Sequence, residues 1–244
     1  MARVVLENLS RTFQSARGEI IHAVQNLSLE ISETELLVLV GPSGSGKTTT
    51  LRLIAGLEQP DGGTIHIDGV LANDIPARAR DVAMVFQSHA LYPHMTVFEN
   101  MAFGLKLRKI SREEILVRVE ATSRLLGIAE LLGRKPSELS GGQAQRAALG
   151  RALVRRPKIL LLDEPLSNLD GSNRRHLRDE IKRLRQETDA AMIYVTHDQA
   201  EALRLADRLA VMRDGRLEQV GTAAEIQSRP ATPFVADFFS AANF

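Results

Sequence analysis

Apolar and polar residues alternate along three short segments near the N terminus, at residues 4–9, 20–24 and 27–31. A period of two is typical of strands that bury one face and expose the other. Antiparallel sheets commonly have this arrangement. We therefore predict that the chain begins with an antiparallel β subdomain.

A second pattern starts at residues 36–40, where every position is apolar. A continuous apolar run suits a strand that is buried on both faces of a mainly parallel sheet. Similar runs recur at residues 159–162 and 191–195. Further strands are expected at 64–67 and 82–86, and helices at 46–57 and 172–187. This alternation of strands and helices predicts an α/β core.

The stretch from residue 88 to residue 156 reads as helical. Thr96 with Glu99, and Ser111 with Glu114, have the spacing of capping boxes. Five apolar residues are expected on one helical face, followed by a glycine that suits a helix end: Ile115, Leu116, Val119, Leu125, Leu126 and Gly127. We predict a single domain over residues 1–244, with a core lobe of 1–87 and 157–244 and an inserted helical subdomain of 88–156.

Charge and composition narrow the possible partners. The 31 Lys and Arg residues nearly balance the 30 Asp and Glu residues, so the net charge of +1 argues against nucleic acid as a partner. Because cysteine is absent, disulfides and thiolate metal sites are excluded. The N terminus has no signal-peptide pattern, and no apolar run approaches the roughly 20 residues that span a bilayer. A cytoplasmic protein is expected.

A glycine-rich motif joins the buried strand at 36–40 to the helix predicted after it. Gly41 and Gly46-Lys47-Thr48 have the spacing of a phosphate-binding loop, in which backbone amides and a lysine hold the phosphates of a nucleotide. Thr48 would hold Mg²⁺. The candidate ATP-binding residues here are Gly41, Pro42, Ser43, Gly44, Ser45, Gly46, Lys47, Thr48 and Thr49.

Two further groups could act on a bound nucleotide. Asp163 and Glu164 follow the apolar run at 159–162, at the sheet edge where open α/β sheets bind ligands. Asp163 can support Mg²⁺, and Glu164 can orient the attacking water. Ser140 and the glycines after it open a predicted helix, which makes a second place for phosphate; the alternative is a simple helix cap.

These motifs together resemble the nucleotide-binding subunits of ATP-binding cassette (ABC) transporters, over nearly the whole chain. The segment Leu139-Ser-Gly-Gly-Gln143 matches the signature motif of that family. The resemblance implies a P-loop NTPase fold, hydrolysis of ATP with Mg²⁺, and a head-to-tail dimer. In that dimer, the phosphate loop of one copy and the signature residues of the other clasp each ATP: Ser140, Gly141, Gly142 and Gln143.

The resemblance also implies roles for single residues. Phe13 would stack on adenine, and Gln87 would contact Mg²⁺ and sense the γ-phosphate. His197 would contact the γ-phosphate and act in catalysis with Glu164. Asp170 would communicate between the two sites of a dimer, although the family more often has Ala where Asn168 stands.

Residues 87–98 are the expected contact with other subunits. The segment Ser88-His-Ala-Leu-Tyr-Pro-His-Met95 has an apolar and aromatic bias that suits a partner's helix. The alternative is that Leu91 and Tyr92 pack within the helical subdomain. In the family, this region receives helices of two transmembrane permease subunits. We therefore expect a peripheral protein on the inner face of the cell membrane.

The segment from Met84 to Lys106 is similar to importers of the maltose type, and somewhat less to polyamine and iron importers. This favours import of a sugar, with a solute-binding protein as an indirect partner. Maltose-type subunits usually continue into a C-terminal regulatory domain, which we do not expect here because the chain ends at Phe244. The other classes considered are a soluble ABC ATPase of DNA repair or translation and a module that binds nucleotide without hydrolysis. The sequence has no long coiled coil or basic arm, and Glu164 and His197 are both present.

Overall fold

The computed structural model describes residues 3–88, 90–167 and 171–240. Within these ranges the strands are β1 (Val4–Gln14), β2 (Ile20–Ile31), β3 (Leu36–Val40), β4 (Gly62–Ile67), β5 (Val70–Leu71), β6 (Val82–Val85), β7 (Ile159–Asp163), β8 (Ala191–Thr196), β9 (Arg208–Arg213) and β10 (Arg216–Gly221). The α-helices are α1 (Lys47–Ala55), α2 (Val97–Leu107), α3 (Arg112–Leu125), α4 (Gly141–Leu153), α5 (Gly171–Glu187), α6 (Gln199–Leu205), α7 (Ala223–Ser228) and α8 (Pro233–Ser240). None of these helices combines the length and the apolar character needed to cross a bilayer.

The N-terminal strands form a four-stranded antiparallel sheet in the order β2-β1-β4-β5. The predicted antiparallel β subdomain is therefore confirmed, whereas β5 was not predicted. The two segments predicted at 20–24 and 27–31 are one strand, so the predicted break between them is wrong. The register against β1 shifts between the pairs Leu9↔Leu27 and Arg11↔Val24. Asn26 adopts a left-handed conformation there (φ 49°), and its amide donates to Ser10 Oγ at 3.0 Å. The polar residues at this point therefore belong to a bulge inside a continuous strand.

The second sheet has six strands in the order β10-β9-β3-β8-β7-β6. Its five strands from β9 to β6 are parallel, and β10 pairs antiparallel with β9. Every residue of β3 is buried, as its apolar run predicted. The mainly parallel α/β core is therefore confirmed. Strands β9 and β10 were not predicted.

The six-stranded sheet separates two apolar cores. Leu37 and Leu39 of β3 face a core shared with α1 and the antiparallel sheet. Leu36, Val38 and Val40 face the opposite core, which the helices from α2 to α8 cover. Because side chains alternate along a strand, β3 serves both cores and α1 is fixed directly after it.

The segment predicted as helical contains α2, α3 and α4, joined by turns and short 3₁₀ helices. The capping box at Thr96 is present, but Ser111 only accepts from the Glu114 amide, and the Glu114 carboxylate pairs with Arg118. The prediction for Leu116 was wrong, since its side chain is 47% exposed. Ile115 is buried, and the next residue lies about 100° further round the helix, outside the buried face.

Candidate nucleotide-binding and hydrolysis site

The phosphate loop spans residues 41–46, between the end of β3 and the start of α1. Gly46 immediately precedes the helix with φ 97°. A Cβ atom at this position would lie 2.2 Å from the carbonyl oxygen of Ala23 on β2. Only glycine therefore fits where the loop passes the antiparallel sheet. The amides at the start of α1 are directed into the loop, as a phosphate site requires.

Lys47 is folded into this loop. Its ammonium donates to the carbonyl oxygens of Gly41 at 2.8 Å and Pro42 at 2.7 Å, and to Ser45 Oγ at 3.2 Å. Burial lowers the pKa of Lys47, and the nearby carboxylates Asp163 and Glu164 partly oppose that shift. The buried Lys47 ammonium therefore has only neutral oxygens as hydrogen-bond partners here. A phosphate, which is negatively charged, would bind this ammonium more strongly than these oxygens do.

The turn between β9 and β10 supports the loop from the side. The amide of Gly215 donates to the carbonyl oxygen of Ser45 at 3.2 Å, and Gln25 Nε2 donates to the carbonyl oxygen of Asp214 at 2.8 Å. This support was not predicted from the sequence. The Asp214-Gly215 pair is a hairpin-turn signal that could have revealed it.

Asp163 meets the phosphate loop at the end of β7. Thr48 Oγ1 donates to Asp163 Oδ1 at 2.8 Å, and Asp163 is 6% exposed. Burial raises the pKa of Asp163, whereas the hydrogen bond from Thr48 lowers it and the charge of Glu164 raises it again. A hydroxyl and a carboxylate are oxygen ligands that suit Mg²⁺, and a divalent cation would stabilise the buried charge. Thr48 and Asp163 are therefore suited to the role of Mg²⁺ ligands that was predicted for them.

Glu164 and His197 come together from neighbouring strands. Glu164 Oε2 lies 3.1 Å from His197 Nδ1, and Glu164 adopts a left-handed backbone conformation with φ 46°. Its amide donates to the carbonyl oxygen of Val195 at 3.1 Å. Such a conformation is uncommon for a residue other than glycine and often occurs at functional sites.

Gln87 lies beside this pair. Its Nε2 donates to Ser167 Oγ at 3.2 Å, and Ser167 Oγ in turn donates to the carbonyl oxygen of Glu164 at 2.9 Å. The predicted residues thus form two directly bonded pairs, with Gln87 linked to one of them through Ser167. Across the described ranges, no group of three or more histidine, aspartate or glutamate side chains could hold a metal ion.

Phe13 lies near the end of β1, paired with Ile21. The Arg11 guanidinium lies 4.7 Å from the centre of the Phe13 ring, and Asp61 Oδ1 accepts from Arg11 Nη1 at 2.8 Å. One face of the ring therefore has a cation over it. Ile21, the partner of Phe13 on β2, lies two positions before Ala23, the residue against which the phosphate loop packs.

The signature residues lie at the start of α4, away from the phosphate loop in sequence and in contacts. Ser140 and Gln143 form a reciprocal capping box. No hydrogen bond or ion pair among the described residues joins this segment to residues 41–49. The simple helix cap is therefore present, and within one copy the signature does not complete the nucleotide site.

The segment expected to bind other subunits is held from beneath by Asn100. This buried amide donates to the carbonyl oxygens of Tyr92 (3.2 Å), Met95 (3.2 Å) and Thr96 (2.9 Å), and its oxygen accepts from the amide of Tyr92 at 2.8 Å. Leu91 packs against the core, whereas Tyr92 is 37% exposed. The segment is therefore partly core and partly surface. The role of Asn100 was not predicted from the sequence.

Asp170 lies outside the described residues, so its predicted role stays a prediction.

A cavity of about 450 Å³ is lined by Arg118, Lys158 and Ala190, at the sheet edge where β7 and β8 begin. A smaller one of about 50 Å³ lies beside Glu164 and His197. Cavity size alone would therefore have pointed to the wrong edge of the sheet.

Comparisons with known proteins show which proteins this chain resembles. A family model described as "ABC transporter" matches residues 24–167. The chain is 54% identical over 244 residues to the "Trehalose/maltose import ATP-binding protein MalK" of Thermococcus litoralis, covering 98% of the chain and 64% of that protein. It is 50% identical over 238 residues to the "sn-glycerol-3-phosphate import ATP-binding protein UgpC" of Cupriavidus metallidurans, with the same coverages. An uncharacterised ABC transporter ATP-binding protein, YcjV, of Escherichia coli O6:K15:H31 is 52% identical over 246 residues.

The chain spans about two thirds of the length of these relatives, from 64% to 67%. Among solved structures, it is similar to the dimeric post-hydrolysis state of the ATP-binding cassette MJ0796 bound to ADP and Pi. The TM-score is 0.81 at 33% identity, covering 90% of this chain and 98% of that one. At 33% identity, the likeness is one of sequence as well as of fold.

Proposed function

The chain belongs to the ABC transporter family, and we propose that its ATPase domain drives solute import through a membrane complex. The observation that carries this proposal is that the phosphate loop, the Thr48–Asp163 pair and the Glu164–His197 pair meet at one edge of the parallel sheet. Phosphate binding, charge neutralisation and activation of water are needed together for hydrolysis of ATP. Residues 1–244 would form one domain, with the signature on its helical lobe.

Binding of ATP is proposed to begin at residues 41–49. The triphosphate would lie against the amides that open α1, and Lys47 would leave the carbonyl oxygens of Gly41 and Pro42 for the β- and γ-phosphates. Phe13 would stack on adenine with the ring face that Arg11 leaves open. Stacking favours no particular base strongly, so it fits ATP without excluding other nucleotides.

Hydrolysis is proposed to depend on Glu164 and His197. The Glu164 carboxylate would orient a water molecule in line with the γ-phosphorus, and His197, which hydrogen-bonds to it at 3.1 Å, would contact the γ-phosphate. Mg²⁺, when bound, neutralises charge on the phosphates, and Thr48, Asp163 and Gln87 are the residues proposed to hold it. Ser167 would keep Gln87 beside Glu164.

Two copies are proposed to complete each site. In one copy, no hydrogen bond or ion pair among the described residues joins the signature segment to the phosphate loop, and a second copy is proposed to supply this segment. The similar MJ0796 structure is dimeric, which supports this assembly. Asp170 is proposed to connect the two sites of the dimer.

Import is proposed from the relatives. MalK and UgpC are both named as import proteins, one for trehalose or maltose and the other for sn-glycerol-3-phosphate. A sugar or a phosphorylated polyol is therefore the proposed class of solute. Tyr92 and its exposed neighbours on residues 87–98 would receive two permease subunits, with the chain bound peripherally to the inner face of the membrane. A solute-binding protein would deliver the solute.

The test of hydrolysis is Glu164→Gln, which keeps the shape of the side chain but removes its charge. We expect unchanged ATP binding, a kcat at least about a hundredfold lower, and an ATP-dependent dimer in light scattering. Asp189→Asn is the matched control, because Asp189 is an exposed acid at the opposite edge of the sheet. Hydrolysis by Glu164→Gln at the wild-type rate would refute the role of Glu164.

The test of import uses the chain purified with its co-expressed permease subunits in proteoliposomes. We expect ATP hydrolysis to rise when a solute-binding protein loaded with trehalose, maltose or sn-glycerol-3-phosphate is added. Stimulation by a loaded polyamine- or iron-binding protein alone would replace the proposed solute class. Failure to co-purify with any permease would favour a soluble ATPase.

A further inference from the structure

A buried acid lies beneath the turn that carries His197. Glu201 on α6 is 7% exposed, and Tyr194 on β8 is fully buried. The Tyr194 hydroxyl donates to Glu201 Oε1 at 2.5 Å. Thr196, at the end of β8, borders the same small cavity as Glu201. One carboxyl group therefore joins the first turn of α6 to the last residues of β8.

The direction of this side chain is unusual for its position. Glu201 is the third residue of α6, and its amide donates to the helix cap Asp198 at 2.9 Å. Acids at this position usually bond back to the amide of the cap, as Glu225 does at the start of α7 with Thr222. Glu201 instead bonds to the strand below, so capping its own helix does not explain it.

The turn between β8 and α6 is tied at both ends by this arrangement. Thr196 Oγ1 accepts from the Asp198 amide at 3.0 Å, and Asp198 Oδ1 in turn accepts from the Glu201 amide at 2.9 Å. His197 lies between these ties, is half exposed and reaches Glu164. The cavity of about 50 Å³ is bordered by Glu164, His197 and Glu201 together.

The titratable and charged groups packed directly around Glu201 come from three parts of the chain. Tyr194 faces it from β8, Asp198 from the turn and Arg174 from α5, with Glu164 and His197 across the cavity. Burial raises the pKa of Glu201, whereas the hydrogen bond from Tyr194 opposes that shift. A buried carboxyl with these partners is costly unless its hydrogen bonds are kept, so the turn is held firmly.

We propose that Glu201 is a positioning residue for ATP hydrolysis, whose bond to Tyr194 fixes the start of α6 and with it the turn that holds His197 against Glu164. The inference rests on the proposed function of that pair. Loss of the Glu201 bonds frees the turn, so His197 no longer keeps its place. Because Lys47 and the phosphate loop lie on other elements, binding of ATP is unaffected.

The experiment measures kcat and KM for ATP in four variants of the full chain. We expect Glu201→Ala to lower kcat roughly ten- to hundredfold, as small displacements of positioned groups do, with KM changed less than about threefold. Glu201→Gln recovers most of the activity, because its amide oxygen still accepts from Tyr194. Tyr194→Phe lowers kcat, but less than Glu201→Ala. Glu225→Ala is the matched control, an acid at the same helical position that leaves kcat unchanged.

The outcomes separate this inference from the proposed function. Wild-type kcat in Glu201→Ala would overturn the inference, as would a loss that Glu201→Gln does not restore although the variant keeps the wild-type melting temperature. A parallel rise in KM would also overturn it, since the effect would then be on the whole nucleotide site. An absence of hydrolysis in the wild-type chain would overturn the proposed function, and this inference with it.

Discussion

Arg80 is a buried cation whose removal tests what holds α1 behind the phosphate loop. The residue is 4% exposed, and among the described residues no carboxylate forms an ion pair with it. Its guanidinium donates to four carbonyl oxygens, those of Leu53 (2.7 Å), Ile54 (3.0 Å), Ile75 (2.7 Å) and Asn73 (3.2 Å). Two of these acceptors belong to the last turn of α1, where carbonyl groups lack partners and carry partial negative charge.

The stability that is lost when Arg80 is removed can be estimated from its two hydrogen bonds to α1. A hydrogen bond to a charged group contributes about 1.5–3 kcal/mol, so loss of the bonds to Leu53 and Ile54 costs about 3–6 kcal/mol. Burial lowers the pKa of Arg80, which reflects the cost of keeping the cation from water and brings the net loss toward the lower end. A loss of about 3 kcal/mol is a large part of the stability of a typical domain.

The assay is urea unfolding of Arg80→Ala, followed by titration with ATP. We expect a lower free energy of unfolding and weaker binding, because α1 begins at Lys47. Arg80→Lys should fall between, since one ammonium cannot reach four carbonyls in a planar fork. Arg78→Ala, at an exposed position two residues earlier, is the control. A loss below about 1 kcal/mol in Arg80→Ala would refute the reasoning.

Two further predictions concern the antiparallel sheet and the phosphate loop. Hydrogen bonds from the side chain and amide of Thr12 lower the pKa of Asp61. The lowered pKa stabilises the folded state at pH values above about 3.9, the pKa of an unfolded aspartate, and this stabilisation is lost as the pH falls through the pKa of the folded state. In urea unfolding, Asp61→Asn should therefore be less stable than wild type at pH 7 and nearly as stable as wild type near pH 2. Gly46→Ala should weaken ATP binding at least about tenfold in a fluorescent-nucleotide titration, because its Cβ would lie 2.2 Å from a backbone oxygen. Gly133→Ala, where a Cβ meets nothing within 4 Å, should bind normally; equal binding by both variants would contradict the expected clash.

Local features of this protein were readable from the sequence. The loop at 41–48, the buried strand β3 and the caps at Thr96 and Ser140 depend on residues a few positions apart. Backbone conformation and alternation of burial are set over such distances, so spacing alone predicts them. The acidic strand end at Asp163 was predicted for the same reason, since the run before it is uninterrupted.

Contacts between distant segments were decided only by the tertiary structure. The sequence places Thr48 and Asp163 115 positions apart, and the sheet order alone sets their 2.8 Å contact. The sequence predicted that Ile115 and Leu116 share one helical face, but of these two residues only Ile115 is buried in the structure. It gave no sign of Glu201, because an acid in the first turn of a helix looks like a cap until the strand beneath it is known. A side chain's direction depends on what packs against its element, and that information lies far away along the chain.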